Sequence, residues 1–155
     1  MRQPLESRML QVLLGPLVTA LYLFGAYVLL HGHYSPGGGF QAGVIFGAAL
    51  LLPLLVHGRF ARRRGYLLLS QSQAITLGAI GVMVYALMGI EPMLVGRPFL
   101  DYSALTIPAG AAHRRSLGIL GIETGVALAV AGSVVAIFRV LQEERTRQPK
   151  PDTPK

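Results

Sequence analysis

The chain has 155 residues, 52% of them hydrophobic and 14% charged, with no cysteine, no tryptophan and a formal net charge of +7. Soluble domains carry about 25% charged residues, so this composition, with a mean hydropathy of +0.53, excludes an ordinary soluble fold. The missing cysteines exclude a disulfide framework and thiolate-held metal. The positive charge does not mark a nucleic-acid binder, because Lys and Arg gather at the ends of apolar runs, where membrane proteins place them.

Four segments reach the ~20 mostly apolar residues that a spanning helix needs: about 9–30, 40–56, 73–90 and 116–141. Backbone groups inside hydrocarbon must pair within their own segment, so these are helices and not open strands. The expectation is an all-α integral membrane protein with four transmembrane helices in one domain, 1–141. A polar, proline-rich tail, 142–155, is expected to be disordered. The first run follows Arg2 and Arg8 but is too long for a signal peptide and has no small-residue cleavage site, so it is expected to be retained.

Between the first and second spans lies His31-Gly32-His33-Tyr34-Ser35-Pro36-Gly37-Gly38-Gly39-Phe40-Gln41. Proline fixes φ while glycine permits positive φ and close backbone approach, so this segment reads as a tight, specified turn. Gly37, Gly38 and Gly39 fall at the start of the second helix. There, free N–H groups and the positive end of the helix dipole can hold a carboxylate or carbonyl of a neighbour. His31 and His33 lack a third ligand nearby, so a metal site is not expected; hydrogen bonding within the turn or a proton relay remain as their roles. Gln41 is expected to bond within the turn or to a partner helix.

The second span carries Gly39, Gly43 and Gly47 at helical spacing, and the third a weaker series, Gly78, Gly81 and Gly89. Glu91-Pro92 is expected to end the third helix, with Arg97 and Asp101 pairing just beyond it. His113-Arg114-Arg115 precedes the fourth span and faces either acidic groups of a partner, lipid headgroups or solvent. The fourth span has the longest small-residue stripe: Gly118, Gly121, Gly125, Ala129 and Gly132. Small stripes let helices approach closely in lipid, where apolar burial no longer discriminates. They serve either packing among the four helices or contact with another subunit.

Glu123 breaks the apolar character of the fourth span. At ~100° per residue it lies ~200° from both Gly121 and Gly125 and so points away from the glycine stripe. A charged side chain at the centre of a span costs about 3 kcal/mol on insertion scales, so it should not face lipid. Four helices are expected to fall short of covering both faces of the fourth, leaving the Glu123 face for another subunit or a hydrated path. An intramembrane acid points to ion or proton handling; the alternative is a neutral, hydrogen-bonded structural acid.

Orientation follows from the basic residues. Arg2, Arg8, Arg59, Arg62, Arg63, Arg64, Arg139, Arg145, Arg147, Lys150 and Lys155 belong to one side, and only Arg97, Arg114 and Arg115 to the other. The positive-inside rule then puts both termini, and the 142–155 tail, in the cytoplasm and the glycine turn outside. The expected location is the cell (cytoplasmic or inner) membrane, in contact with its lipid bilayer. No catalytic constellation, phosphate loop, nucleotide fingerprint or haem pattern is present, so no enzyme activity and no cofactor is expected.

The run Leu30-His31-Gly32-His33-Tyr34-Ser35-Pro36-Gly37-Gly38-Gly39-Phe40-Gln41-Ala42-Gly43 closely resembles the signature of the MnhB domain family, small subunits of the Mrp-type multisubunit sodium/proton antiporters. Four spans, a short first loop and an acid among small residues in the last span agree with that likeness over roughly residues 13–141. The family's acid is commonly aspartate, where this chain has Glu123. The resemblance implies a small subunit of a complex related to the membrane arm of respiratory complex I, exchanging Na+ for H+. Its partners would be large complex I-like subunits and other small membrane subunits. This chain has no intramembrane lysine of the kind the large subunits use, so it would not pump protons alone. Similar subunits occur in membrane-bound hydrogenases and sulfane reductases. A purely structural spacer and a self-sufficient homo-oligomeric transporter are the further alternatives.

Overall fold

A computed structural model of the chain describes residues 5–32, 38–57, 61, 65–106, 108 and 110–147. These form four long helices, α1 (Leu5–Leu30), α2 (Gly38–His57), α3 (Gln71–Leu94) and α4 (Ala111–Arg147), with one 3-10 turn at Tyr102–Ala104. Among the described residues there is no strand. Each of the four helices is long and apolar enough to cross a membrane.

The helices outrun the apolar segments at several ends, and local chemistry explains where. The third starts at Gln71 because Ser70 caps it: Gln73 N donates to Ser70 Oγ at 3.2 Å, and Ser70 N donates to Gln73 Oε1 at 2.9 Å. This reciprocal pair is a capping box. At its other end α3 does not stop at Glu91-Pro92; Pro92 lies inside it, and the chain leaves the helix through Gly96 at φ 74°. The fourth helix continues through Gln142–Arg147, which corrects the expectation of a disordered tail over those residues. Gln, Glu and Arg are good helix formers, and extending an existing helix needs no new nucleus. With its amide nitrogen turned inward, Gln71 donates to both Glu143 carboxylate oxygens at 3.2 Å, tying that extension to α3. Residues 148–155 lie outside the described residues.

Packing centres on α4, which lies against α3 on one side and α2 on the other, while α1 packs chiefly on α2. The α3–α4 pair is antiparallel and close. A Cβ built on Gly125 would lie 2.9 Å from both Gly81 O and Tyr85 N, and one on Gly132 2.5 Å from Gly78 N and 2.7 Å from Ala74 O. The α2–α4 pair is parallel: a Cβ on Gly43 would meet Ala127 O at 2.7 Å, and one on Gly47 would meet Val134 Cγ1 at 3.2 Å. Between α1 and α2, the Phe46 ring fills the space at Gly25 and stacks on Tyr22, with centroids 6.3 Å apart. Leu50, Ala74 and Val135 form a small core, with Tyr22 and Leu69 packed around it.

One expectation fails here in part. The face of α4 opposite its glycine seam is not left wholly to another subunit: α2 of the same chain lies along it, and Glu123 there stays half-buried. The physical reason is the second glycine series, Gly39, Gly43 and Gly47, which brings α2 as near to α4 as Gly78 and Gly81 bring α3.

The outward-turned apolar side chains sit mainly on α1 and α3: Val12, Leu23, Phe24, Tyr27, Val82, Met83 and Leu87 are all exposed. An apolar belt is what hydrocarbon solvates without cost. The protein is therefore a multi-pass helical membrane protein.

Candidate functional site

The two features that stand out in the sequence, the glycine turn and the lone acid of the last span, meet in space. Glu123 is half-buried on α4, 12 residues beyond Ala111, or about 18 Å along the axis. Its side chain lies where α1 ends and α2 begins. A Cβ built on Gly32 would fall on the Glu123 carboxylate, 2.5 Å from Oε1, and 2.5 Å from Gly38 Cα. At Gly38 a Cβ would lie 2.7 Å from Oε1 and 3.1 Å from Cδ, and at Gly39 it would fall on the Glu123 carbonyl, 2.8 Å from Cα. Gly38 also has φ 60°, which costs a residue with a Cβ roughly 1–2 kcal/mol. The first turn of α2 thus rides directly on the α4 backbone, with the carboxylate tucked beside it. A helix's first turn presents unpaired N–H groups and the positive end of its dipole, the ordinary receptor for a carboxylate.

Other members of the turn are placed around this contact. His31 is exposed; its ring stacks on Tyr27 with centroids 4.2 Å apart, and its Nδ1 lies 3.1 Å from Tyr27 O. Phe40 and Gln41 are exposed on α2. His33, Ser35, Pro36 and Gly37 lie outside the described residues. Among the described residues no group of three or more His, Cys, Asp or Glu is arranged to hold a metal ion.

The packing glycines divide by neighbour. Gly125 and Gly132 face α3, Gly121 lies against Met88, and Gly43 and Gly47 face α4. Gly118 meets neither; Tyr102 and Leu105 of the α3–α4 connection fold back over it, and Phe99 covers Gly89 in the same way. The connection is held by Thr106 N donating to Glu91 Oε1 at 2.8 Å and by fully buried Leu105. Since Met88 opposes Gly121, α3 runs on past the level of Gly121 by residues 89–94, about 9 Å. Asp101 does not rely on Arg97: it accepts from Ser103 Oγ at 2.5 Å and Ser103 N at 3.1 Å. The Ser103 hydroxyl, then the Ser103 amide, and after them the charges of Arg97 and Arg115, hold its carboxyl below the usual carboxylate range. His113, Arg114 and Arg115 lie inside the first turns of α4 and not before it.

Sequence reasoning missed a second polar cluster, at the opposite end. His57 is buried with its ring 5.7 Å from Tyr66, and Arg139 Nε donates to Leu69 O at 2.9 Å. A histidine in the last turn of an apolar span was the available signal for it.

Fold and site together define a class, a four-helix membrane protein with an internal acid seated on its own helix-turn-helix corner. Comparison with known proteins narrows the class. Residues 9–136 match the family described as "Domain related to MnhB subunit of Na+/H+ antiporter". The chain is 32% identical over 124 residues to a Staphylococcus saprophyticus protein named "Putative antiporter subunit mnhB2", covering 78% of this chain and 84% of that one. A protein of the same name from Staphylococcus aureus strain MRSA252 is 32% identical over 134 residues, covering 83% and 89%. The chain belongs to the MnhB family.

Proposed function

We propose that this chain is a small membrane subunit of a multisubunit Na+/H+ antiporter complex, a secondary transporter and not an enzyme. Its partners are the other antiporter subunits, large and small, and Na+ and H+ are the transported ions. Both termini face the cytoplasm and the glycine turn faces outward, in keeping with the distribution of Lys and Arg. The chain contributes to assembly and, through Glu123, to an ion path that it completes with a neighbouring subunit. The observation that carries this reading is the seat of Glu123. An ionisable group inside a span is costly, and its usual roles are in ion or proton pathways. Here it stands at the corner where two spans end. The family match over the whole four-helix body supports the subunit role.

The same contacts favour one rival. If Glu123 does no more than pin the turn to α4, the chain is a structural spacer. A subunit of a hydrogenase or sulfane reductase complex is distinguished by its companions. The test is purification of the native complex in mild detergent through a tag on this chain, with its partners identified and antiport measured after reconstitution. Large antiporter-like subunits should co-purify and the complex should exchange Na+ for H+. A chain that purifies alone, or with redox-enzyme subunits, overturns the reading.

A further inference from the structure

We infer that Gly32 and Gly38 are positioning residues for Glu123. They form a socket whose empty volume holds the carboxylate against the start of α2. The inference rests on the subunit reading only for its transport measurement.

The glycines of this corner differ in what each excludes. The three atoms nearest a Cβ built on Gly38 all belong to the Glu123 side chain: Oε1 at 2.7 Å, Cδ at 3.1 Å and Cγ at 3.5 Å. Helix packing alone does not ask for glycine there. At Gly32 the carboxylate again comes first, with Gly38 Cα at 2.5 Å beside it. Gly39 is different in kind: its neighbours are the Glu123 carbonyl and Cα, 2.7 Å from C and 2.8 Å from Cα. It is a backbone contact of the sort seen at Gly43 and would be needed whatever side chain stood at 123. Gly38 thus answers to the carboxyl group, Gly32 to the carboxyl group and the Gly38 backbone together, and Gly39 to the helix. The carboxylate occupies the space that a Cβ at Gly32 or Gly38 would take, so a side chain there would displace it. The socket therefore fixes where along the turn an ion or proton would meet the acid.

The socket sets up a cycle of variants in the full complex, read by complex yield, thermal stability in detergent and antiport. Gly38→Ala should lower yield and melting temperature in the parent and cut antiport about tenfold or more, a change of about 1.4 kcal/mol or more. Glu123→Asp, one methylene shorter, withdraws the carboxylate from the Cβ. In that background Gly38→Ala should cost less than in the parent, leaving only the part owed to its positive φ. Gly39→Ala, the control, should be as damaging with aspartate as with glutamate. Equal cost of Gly38→Ala in both backgrounds, harmless Gly38→Ala, or relief of Gly39→Ala by the aspartate each overturns the socket. The stability readings decide this even if transport proves independent of Glu123, so failure of the ion-path reading is told apart from failure of the socket.

Discussion

The two seams of α4 use glycine for different ends. Against α3, glycine faces glycine and backbone faces backbone: Gly81 with Gly125, Gly78 with Gly132. No charge is present, and the gain is close van der Waals packing along much of the helix, which is what holds helices together in lipid. Against α2, the same spacing begins as packing at Gly47 and Gly43 and ends, at Gly38, as a space for a carboxylate. A stripe of small residues is therefore not one kind of feature. Its meaning depends on whether the opposing atoms are backbone, which cannot move, or the far end of a side chain, which can.

The contrast is broken most severely at the α3 seam. Gly132→Leu drives a side chain into Gly78 N and Ala74 O, and overpacking of this kind costs up to about 3 kcal/mol. The folded fraction on denaturant titration in detergent should fall accordingly, and no substitution at Glu123 should restore it. Recovery through Glu123 would show that the seams are not independent.

A smaller effect is expected at the far end of α3. Ser70→Ala removes the hydroxyl that caps the helix, worth ~1 kcal/mol. Melting temperature should drop modestly, while antiport per assembled complex stays unchanged, since this cap touches neither the socket nor the seam glycines. Loss of transport without loss of stability would tie the two ends together.

The smallest effect concerns the α3–α4 connection. The carboxyl of Asp101 titrates below its ordinary value because the Ser103 hydroxyl, then the Ser103 amide, and after them Arg97 and Arg115, favour the charged form. The contribution of that charge is thus complete above the ordinary carboxyl range near pH 4 and disappears as pH falls through the lowered folded value. Hydrogen exchange at the Ser103 amide should rise on acidification relative to Asp101→Asn, which lacks the titration. Identical pH dependence in both proteins would show that the Asp101 charge does not hold the connection.

Much of this architecture is legible in the sequence for simple reasons. Span positions follow from hydropathy because lipid demands long apolar runs, and the direction of Glu123 away from Gly125 follows from helical geometry. Three features were not legible. The capping box at Ser70 and Gln73 sits at the edge of the third apolar window, where hydropathy does not mark the helix start. The continuation of α4 to Arg147 lies beyond the apolar run, where hydropathy marks only a polar tail. The meeting of Glu123 with Gly32 and Gly38 joins residues separated by most of the chain. Nothing in either segment names the other until α2 is laid parallel to α4. That pairing also explains the packing expectation that fails in part: a face judged to need an outside partner is partly covered by the chain's own second span.

On the proposed reading, the charge of Glu123, and not its shape, serves ion exchange. Glu123→Gln tests this most directly, because glutamine keeps the volume that Gly32 and Gly38 enclose and removes only the ionisable group. Na+-dependent proton movement should be measured in everted vesicles holding the complex at parental abundance. The expected result is a fall of about tenfold or more with assembly intact. Antiport at the parental rate in a normally assembled complex would contradict it and leave the residue as a pin for the turn.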